Sequence, residues 1–211
     1  MNKILKSQKN ILWLLVFGYF FVLMLLITLK YIPFNPEASF LQIKQTEVLE
    51  IPFYLTFFYI HVYTAIFVLL AGFTQFNSFI LKKYRKIHRV SGRIYVYIVL
   101  FLAAPSGLFI GLYANGGLFS KISFVILAIL WFTFTLLGML FVLKKEIYKH
   151  EQFMLRSFAL AFSAITLRLW KLILVYIFLP SPMDLYQIVA WLGWIPNLLI
   201  IEFYIIKKYK L

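Results

Sequence analysis

The chain has no cysteine and only seven acidic residues among its 211. The absence of cysteine excludes disulfide bonds, thiolate-held iron–sulfur clusters and haem attached covalently through cysteine. Charged residues make up 13% and hydrophobic residues 64% of the chain, a composition far outside the range of soluble globular domains. We therefore expect a membrane protein in which any cofactor is held by histidine, methionine, carboxylates or backbone groups.

Long apolar runs are the main feature of the sequence. A helix needs roughly 20 residues to cross about 30 Å of hydrocarbon. We predict an all-α polytopic membrane protein, a single helical domain over residues 1–211 with six transmembrane helices. Helices two to five are expected to form a core bundle, with helices one and six packed outside it. The predicted spans are residues 11–29, 53–81, 94–113, 122–143, 153–178 and 185–206.

The distribution of basic residues predicts the orientation and the partners. The net charge is +14, and most of the basic residues precede helix one, follow helix six, or lie between helices two and three or four and five. Lys30, Lys44 and Lys121 fall on the other side. This positive-inside bias predicts a bacterial-type inner-membrane protein with cytoplasmic N and C termini. We expect the charge to meet anionic lipid headgroups of the bilayer and exclude nucleic acid as a partner.

Two histidines are predicted at the same depth on different helices. His88 lies in a cationic stretch, YRKIHRVSGR at residues 84–93, before helix three, with Ser91 as the expected N-cap. His150 begins a helical stripe that continues through Met154 and Ser157. The neighbouring cations and a helix N-terminus favour the neutral imidazole of His88, which is the form that binds metals. The two histidines can meet if helices three and five are neighbours.

The pair His88 and His150 is therefore our candidate cofactor site. Two axial histidines suit a b-type haem, with Arg89, Arg93 and Arg156 available for the propionates. We nominate no catalytic residue and no metal site formed by protein ligands alone. Arginines at a helix N-terminus also suit phosphate or anionic lipid. The remaining alternative is that both histidines only satisfy backbone carbonyls at helix ends.

Four polar residues within or near the spans are candidate substrate contacts: His61, Gln75, Arg168 and Lys171. His61 is predicted in the outer part of the membrane, too far from His88 to share one ligand. It suits a quinone or proton-transfer role, or simply a hydrogen bond across the bundle. Arg168 would cost at least about 2.5 kcal/mol if it faced lipid, so we expect it to face the protein interior.

Several motifs carry a resemblance to a known family. They are His61, GFTQF at residues 72–76, HRVSGR at 88–93, Trp131, and HEQFMLRS at 150–157 leading to Arg168. With these motifs the chain from about residue 60 to 170 resembles the membrane-protein family catalogued as domain of unknown function 2306. The pair of histidine motifs is the specific part. The resemblance implies a membrane fold with a core over about residues 53–178, and the family has no assigned activity.

Three functions remain open from the sequence. The leading hypothesis is a haem- or quinone-associated membrane oxidoreductase subunit with a quinone or another redox partner. The first alternative is a transporter or binding protein for a small anion or lipid, with Arg168, Lys171 and Gln75 along its path. The second is a non-enzymatic assembly or scaffold subunit. A four-helix core with histidines near helix ends is also similar to di-haem b-type proteins, but three histidines allow at most one bis-histidine haem.

Overall fold

The computed structural model describes residues 2–75 and 78–209, and in these ranges all regular structure is helical. Phe76, the last residue of the GFTQF motif, lies outside them. The chain divides into two compact units, Met1–Gln45 and Thr46–Leu211. The first unit contains helix α1, Asn2–Leu29, and a 3-10 turn, Ser39–Lys44. The all-α prediction is confirmed for the described part of the chain.

The remaining helices follow one another with short connections, which gives consecutive long helices opposite directions. A single π-helical turn, Val99–Ala103, joins two of them. The helices are α2 Gln45–Glu50, α3 Tyr54–Gln75, α4 Ser78–Lys83, α5 Arg85–Ile98, α6 Ala104–Gly111, α7 Gly117–Leu143, α8 Ile147–Ala161, α9 Ser163–Phe178, α10 Pro182–Leu192 and α11 Ile195–Tyr209.

Among the described residues, four helical stretches are long and apolar enough to cross a membrane. The pair α8 and α9, bent by 41°, makes a fifth if it is counted as one span. In α1 the apolar helical segment is Gly18–Leu29, which is shorter than a membrane span requires. The predicted first span therefore stays a prediction. The described residues thus support four or five of the six predicted spans. The four are Tyr54–Gly72, Arg85–Gly111, Gly117–Leu143 and Pro182–Tyr209.

The start of predicted helix three was placed too late. The helix begins at Arg85 rather than after the expected N-cap Ser91, and its N-cap is Tyr84, with no side-chain cap hydrogen bond. The cationic stretch is therefore helical, and Ser91 lies inside the helix. The apolar residues Ile87 and Val90 share these turns with the arginines, and long basic side chains at a span end can reach the headgroups while the backbone stays helical. A count of apolar residues alone does not find such turns.

Three of the spans are irregular. The π-helical turn Val99–Ala103 ends two residues before Pro105, which lacks the N–H group that an α-helical ladder needs there. The span of α8 and α9 bends at Phe162, and the helices α10 and α11 are separated by Gly193 and Trp194. The breaks at Phe162 and at Gly193 and Trp194 lie inside predicted helices five and six.

The buried core lies between α3, α5, α7 and α8, as predicted for helices two to five. Helix six contributes more than expected, because Trp194 is only 6% exposed and belongs to the same core cluster. Its indole N–H donates to Ser123 Oγ at 2.9 Å, and Ser123 donates to the Ala190 carbonyl at 2.8 Å. The break between α10 and α11 thus brings a large side chain inward, which a continuous outer helix would not do.

Candidate functional site

A buried chain of three hydroxyl groups ties α5, α7 and α8 together. The Tyr95 hydroxyl lies 2.8 Å from Ser157 Oγ, and Ser157 Oγ lies 2.7 Å from Thr135 Oγ1. Thr135 donates its only hydroxyl hydrogen to the Trp131 carbonyl at 2.7 Å. Ser157 must then donate to Thr135, and Tyr95 must donate to Ser157. The three side chains are at most 1% exposed, so this chain fixes the three helices against each other inside the core.

The bond between Tyr95 and Ser157 sets the relative height of the two helices that carry the candidate ligands. Two short connections reverse the chain between α5–α6 and α8, so α5 and α8 run in the same direction. His88 lies seven residues before Tyr95, and His150 lies seven residues before Ser157. Both histidines are therefore about 10 Å from the hydroxyl pair at 1.5 Å per residue.

We call this end of the bundle the basic end. It is formed by the end of α3, the starts of α5 and α8 and the end of α11, and its basic residues include Lys83, Arg85, Lys86, Arg89, Lys149, Lys207 and Lys208.

The ring of His150 is oriented by the backbone of α7. Its Nδ1 lies 2.8 Å from the carbonyl oxygen of Gly138. A carbonyl oxygen can only accept, so Nδ1 carries the proton and Nε2 keeps a lone pair for a ligand. Gly138 permits the close approach, since a Cβ there would lie 2.7 Å from Met154 Sδ and 3.1 Å from its Cγ. The stripe of His150, Met154 and Ser157 thus faces the bundle, as its spacing predicted.

His88 has a buried nitrogen with no hydrogen-bond partner. Its Nδ1 is inaccessible to solvent and has no hydrogen-bond partner among the described residues. A buried polar atom left unpaired costs free energy, unlike one that is hydrogen-bonded. His88 and His150 therefore each offer imidazole nitrogens at one level of the bundle.

Gln75 holds the first turns of α5 against the end of α3. Its Nε2 donates to the His88 carbonyl at 3.0 Å and to Ser91 Oγ at 2.7 Å. Ser91 also lies 2.6 Å from Thr74 Oγ1. Gly92 leaves room for this arrangement, because a Cβ there would lie 2.8 Å from Gln75 Oε1. Gln75 thus belongs to the surroundings of His88 at the basic end.

The three candidate arginines have different surroundings. Arg156 forms a two-point ion pair with Glu202, with Nε to Oε1 at 2.5 Å and Nη2 to Oε2 at 2.8 Å, the fork geometry that makes such pairs strong. Arg89 and Arg93 are exposed, and Arg89 donates from Nε to the Arg85 carbonyl at 3.4 Å. The guanidinium of Arg156 therefore joins α8 to α11, whereas the other two lie at the surface of the basic end.

A second tie between α8 and α11 lies at the same end. Glu151 accepts a hydrogen bond from the Tyr209 hydroxyl at 2.6 Å and pairs with Lys208. Together with the pair of Arg156 and Glu202, it holds the last turns of α11 beside the helix that carries His150. Neither tie follows from spacing along one helix, because the joined residues are 46 positions apart in one tie and 58 in the other.

The other candidate substrate residues lie away from the basic end, except Gln75. His61 is 14 residues before Gln75 on α3, which separates them by about 21 Å along the helix. Its Nδ1 lies 2.9 Å from the carbonyl of Ala103 in the π-helical turn. Arg168 lies on α9 beyond the bend, and Lys171 is exposed. Gln75 and Arg168 therefore do not contact one small ligand.

Sequence reasoning missed the residue that fixes the site. Neither Tyr95 nor Thr135 was among the candidate residues. One signal was present: Tyr95 and Ser157 each follow a candidate histidine by seven residues, two helical turns along the same face. Equal offsets on two predicted parallel helices indicate side chains that can meet.

Comparison with known proteins identifies a family. A family model described as "Predicted membrane protein (DUF2306)" matches residues 58–205, which covers well over half of the chain and lies within the second unit. This match confirms the family resemblance predicted from the histidine motifs. No curated protein and no solved structure matches the chain.

Proposed function

The chain belongs to the DUF2306 family of predicted membrane proteins, and we propose that it is a membrane redox protein that holds one b-type haem between His88 and His150. The observation that carries this proposal is the shared level of the two histidines on parallel helices. One offers a buried unpaired Nδ1, and the other has its Nδ1 bonded to a helix carbonyl. A bound haem would supply one-electron transfer.

The donor set fits a haem better than a metal ion held by protein ligands alone. Within residues 2–75 and 78–209, no three His, Asp or Glu side chains gather as such an ion requires. A haem iron needs only two axial ligands from the protein. The hydrogen bond from His150 Nδ1 to the Gly138 carbonyl is the outer contact that metal-bound histidines usually make.

The surrounding residues have roles that do not depend on the iron. Arg89 and Arg93 are the exposed cations available for propionates, while Arg156 pairs with Glu202. Tyr95 and Ser157 set the height of the two ligand helices. The proposal places the basic end in the cytoplasm by the positive-inside bias, next to anionic headgroups of an inner membrane. A membrane quinone or a docking redox protein is the proposed electron partner.

The test is a reduced-minus-oxidised absorption spectrum of the protein purified in mild detergent from haem-supplied cells. We expect Soret and α bands typical of six-coordinate b-type haem in the wild-type protein. His88→Ala and His150→Ala should each lose the sharp α band, because each removes one axial ligand.

His61→Ala is the matched control for loss of a histidine. His61 lies about 21 Å along α3 from Gln75, which contacts His88. The His61→Ala variant should therefore keep the spectrum. Absence of both bands in the wild-type protein, even after added haem, would contradict the proposal. An unchanged spectrum in both His88→Ala and His150→Ala would contradict the assignment of the ligands.

A further inference from the structure

One face of α5 carries three basic side chains that point out of the bundle. Lys86, Arg89 and Arg93 follow the spacing i, i+3 and i+7 of a single helix face, and all three are exposed. Tyr97, four residues after Arg93, continues this face and is also exposed. Tyr95, which is buried, lies on the opposite side of the helix. We call Lys86, Arg89 and Arg93 the basic face.

The carboxylates of the basic end are already paired with other cations. Within residues 2–75 and 78–209, the basic face takes part in no ion pair. Like charges three and four residues apart destabilise a helix, so an anion from outside the chain would stabilise these turns. The pairs that occupy the carboxylates at this end are Glu146 with Lys149, Glu151 with Lys208 and Glu202 with Arg156.

The same span becomes apolar toward its middle and stays exposed there. The rings of Tyr97 and Phe101 stack with their centroids 6.0 Å apart, and Phe101 is exposed. Pro105, which is exposed as well, lines a groove of about 260 Å³ between α6 and α7. Two exposed aromatic rings therefore lie between the basic face and the groove.

The groove is apolar and opens to the outside of the bundle. Ala104 and Ala128 are buried and form its floor, while Ile129 and Phe132 are exposed and form its outer wall. Thr133 supplies the hydroxyl group in its lining. Hydrocarbon surrounds this surface in a bilayer, because both helices belong to spans that are long and apolar enough to cross one.

The distance from the basic face to the groove matches the depth of one lipid leaflet. Arg93 and Pro105 are 12 residues apart, which is about 18 Å along the helix. Half of the hydrocarbon core of a bilayer is about 15 Å thick. An acyl chain whose headgroup lies at Arg93 therefore reaches the groove near its end.

We propose that the basic face and this groove together bind one anionic phospholipid. Its phosphate contacts the basic face, where arginine can bind phosphate through two parallel N–H groups, and the Tyr97 hydroxyl is available to the headgroup. One acyl chain crosses the rings of Tyr97 and Phe101 and ends in the groove. Basic clusters at a membrane surface favour anionic lipids, and a free phosphate would leave the groove unused.

The test is thermal unfolding of the full-length protein in nonionic detergent at constant ionic strength. Dioleoyl phosphatidylglycerol should give a saturable rise of Tm. Dioleoyl phosphatidylcholine has the same chains but no net charge, and dihexanoyl phosphatidylglycerol has the same headgroup but short chains. These two lipids and inorganic phosphate should each bind at least about tenfold more weakly, because each lacks part of what the site recognises.

One pair of variants tests the basic face. Arg89→Gln combined with Arg93→Gln should weaken binding of the dioleoyl anionic lipid at least about tenfold. Lys144→Gln combined with Lys145→Gln is the matched control, because it removes the same charge from exposed residues at the same end. The control should bind within about threefold of wild type.

A second substitution tests the groove. Ala128→Leu fills it and should weaken the dioleoyl anionic lipid about fivefold or more, while binding of the dihexanoyl lipid stays within about twofold. If Ala128→Leu does not fold, Thr133→Leu at the edge of the groove takes its place.

The lipid site goes beyond the haem proposal and does not depend on it. Arg89 and Arg93 also serve the propionates in the haem proposal, but His88→Ala removes an axial ligand and keeps the basic face. This variant should bind the dioleoyl anionic lipid at least as tightly as the wild-type protein.

Three results would overturn the proposal. The first is no saturable rise of Tm with dioleoyl phosphatidylglycerol, or an equal rise with dioleoyl phosphatidylcholine or inorganic phosphate. The second is an equal loss of binding in the arginine pair and in the lysine control pair. The third is unchanged binding of the dioleoyl anionic lipid in a folded groove variant.

Discussion

The bond between Tyr95 and Ser157 predicts a definite pattern of stability changes. Ser157→Ala removes the acceptor for the buried Tyr95 hydroxyl and leaves it unpaired, which we expect to cost about 1–3 kcal/mol. Tyr95→Phe removes the hydroxyl itself, while Ser157 keeps its bond to Thr135. Its cost should be smaller, about 0.6–1.5 kcal/mol, the range of single hydrogen bonds in membrane proteins and in proteins generally.

The assay is reversible unfolding in mixed micelles for both single variants and the double variant. The double-mutant cycle should give a coupling of about 0.6–1.5 kcal/mol, since the two residues share one bond. Tyr97→Phe is the matched control, because Tyr97 is on the same helix but 61% exposed, and it should change stability by less than about 0.5 kcal/mol.

A second readout reports on the candidate site itself. Because the chain has no cysteine, His88→Cys with His150→Cys introduces one pair of thiols without background. A short bifunctional thiol reagent should cross-link this pair efficiently, and Tyr95→Phe should lower the yield by loosening the relative height of α5 and α8. Additive stability changes together with unchanged cross-linking would refute the idea that this bond positions the histidines.

Two further substitutions test the packing that supports the site. Gly72→Ala should destabilise the protein by about 1–3 kcal/mol, because a Cβ there would lie 1.9 Å from Phe158 Cε2 and the ring must move. Gly18→Ala is the control: nothing lies within 4 Å of the added Cβ, so the free energy of unfolding should change little in the same assay. Arg156→Gln should cost about 1–3 kcal/mol by leaving the Glu202 carboxylate without its two-point partner. Adding Glu202→Gln to Arg156→Gln should recover part of the lost stability. A double variant that loses as much stability as the two single variants added together would contradict the ion pair's contribution.

Much of the fold could be predicted because bilayer physics acts on long stretches of sequence. Apolar runs of sufficient length located the spans from α3 to α11. The bend at Phe162 has no proline or glycine next to it, so no local signal predicted it. It depends on Asn197, whose contacts with Ala159 and Gly193 join segments that are distant in sequence.

The candidate site was predictable in part for a similar reason. Helical spacing shows which residues share a face, and it placed His150, Met154 and Ser157 toward the bundle. Spacing does not show which residues on other helices lie at the same depth. Gln75 was therefore grouped with Arg168, although its partners are His88 and Ser91. The pairing of Arg156 with Glu202 likewise depends on how α11 packs on α8.

The central claim is that His88 and His150 together hold one haem at the basic end. Titration of the purified apoprotein with haem, followed at the Soret band, tests it most directly. The account predicts saturation at about one haem per chain, a six-coordinate spectrum, and its loss in both His88→Ala and His150→Ala but not in His61→Ala. A titration with no saturation, or saturation that is unchanged in both His88→Ala and His150→Ala, would contradict it.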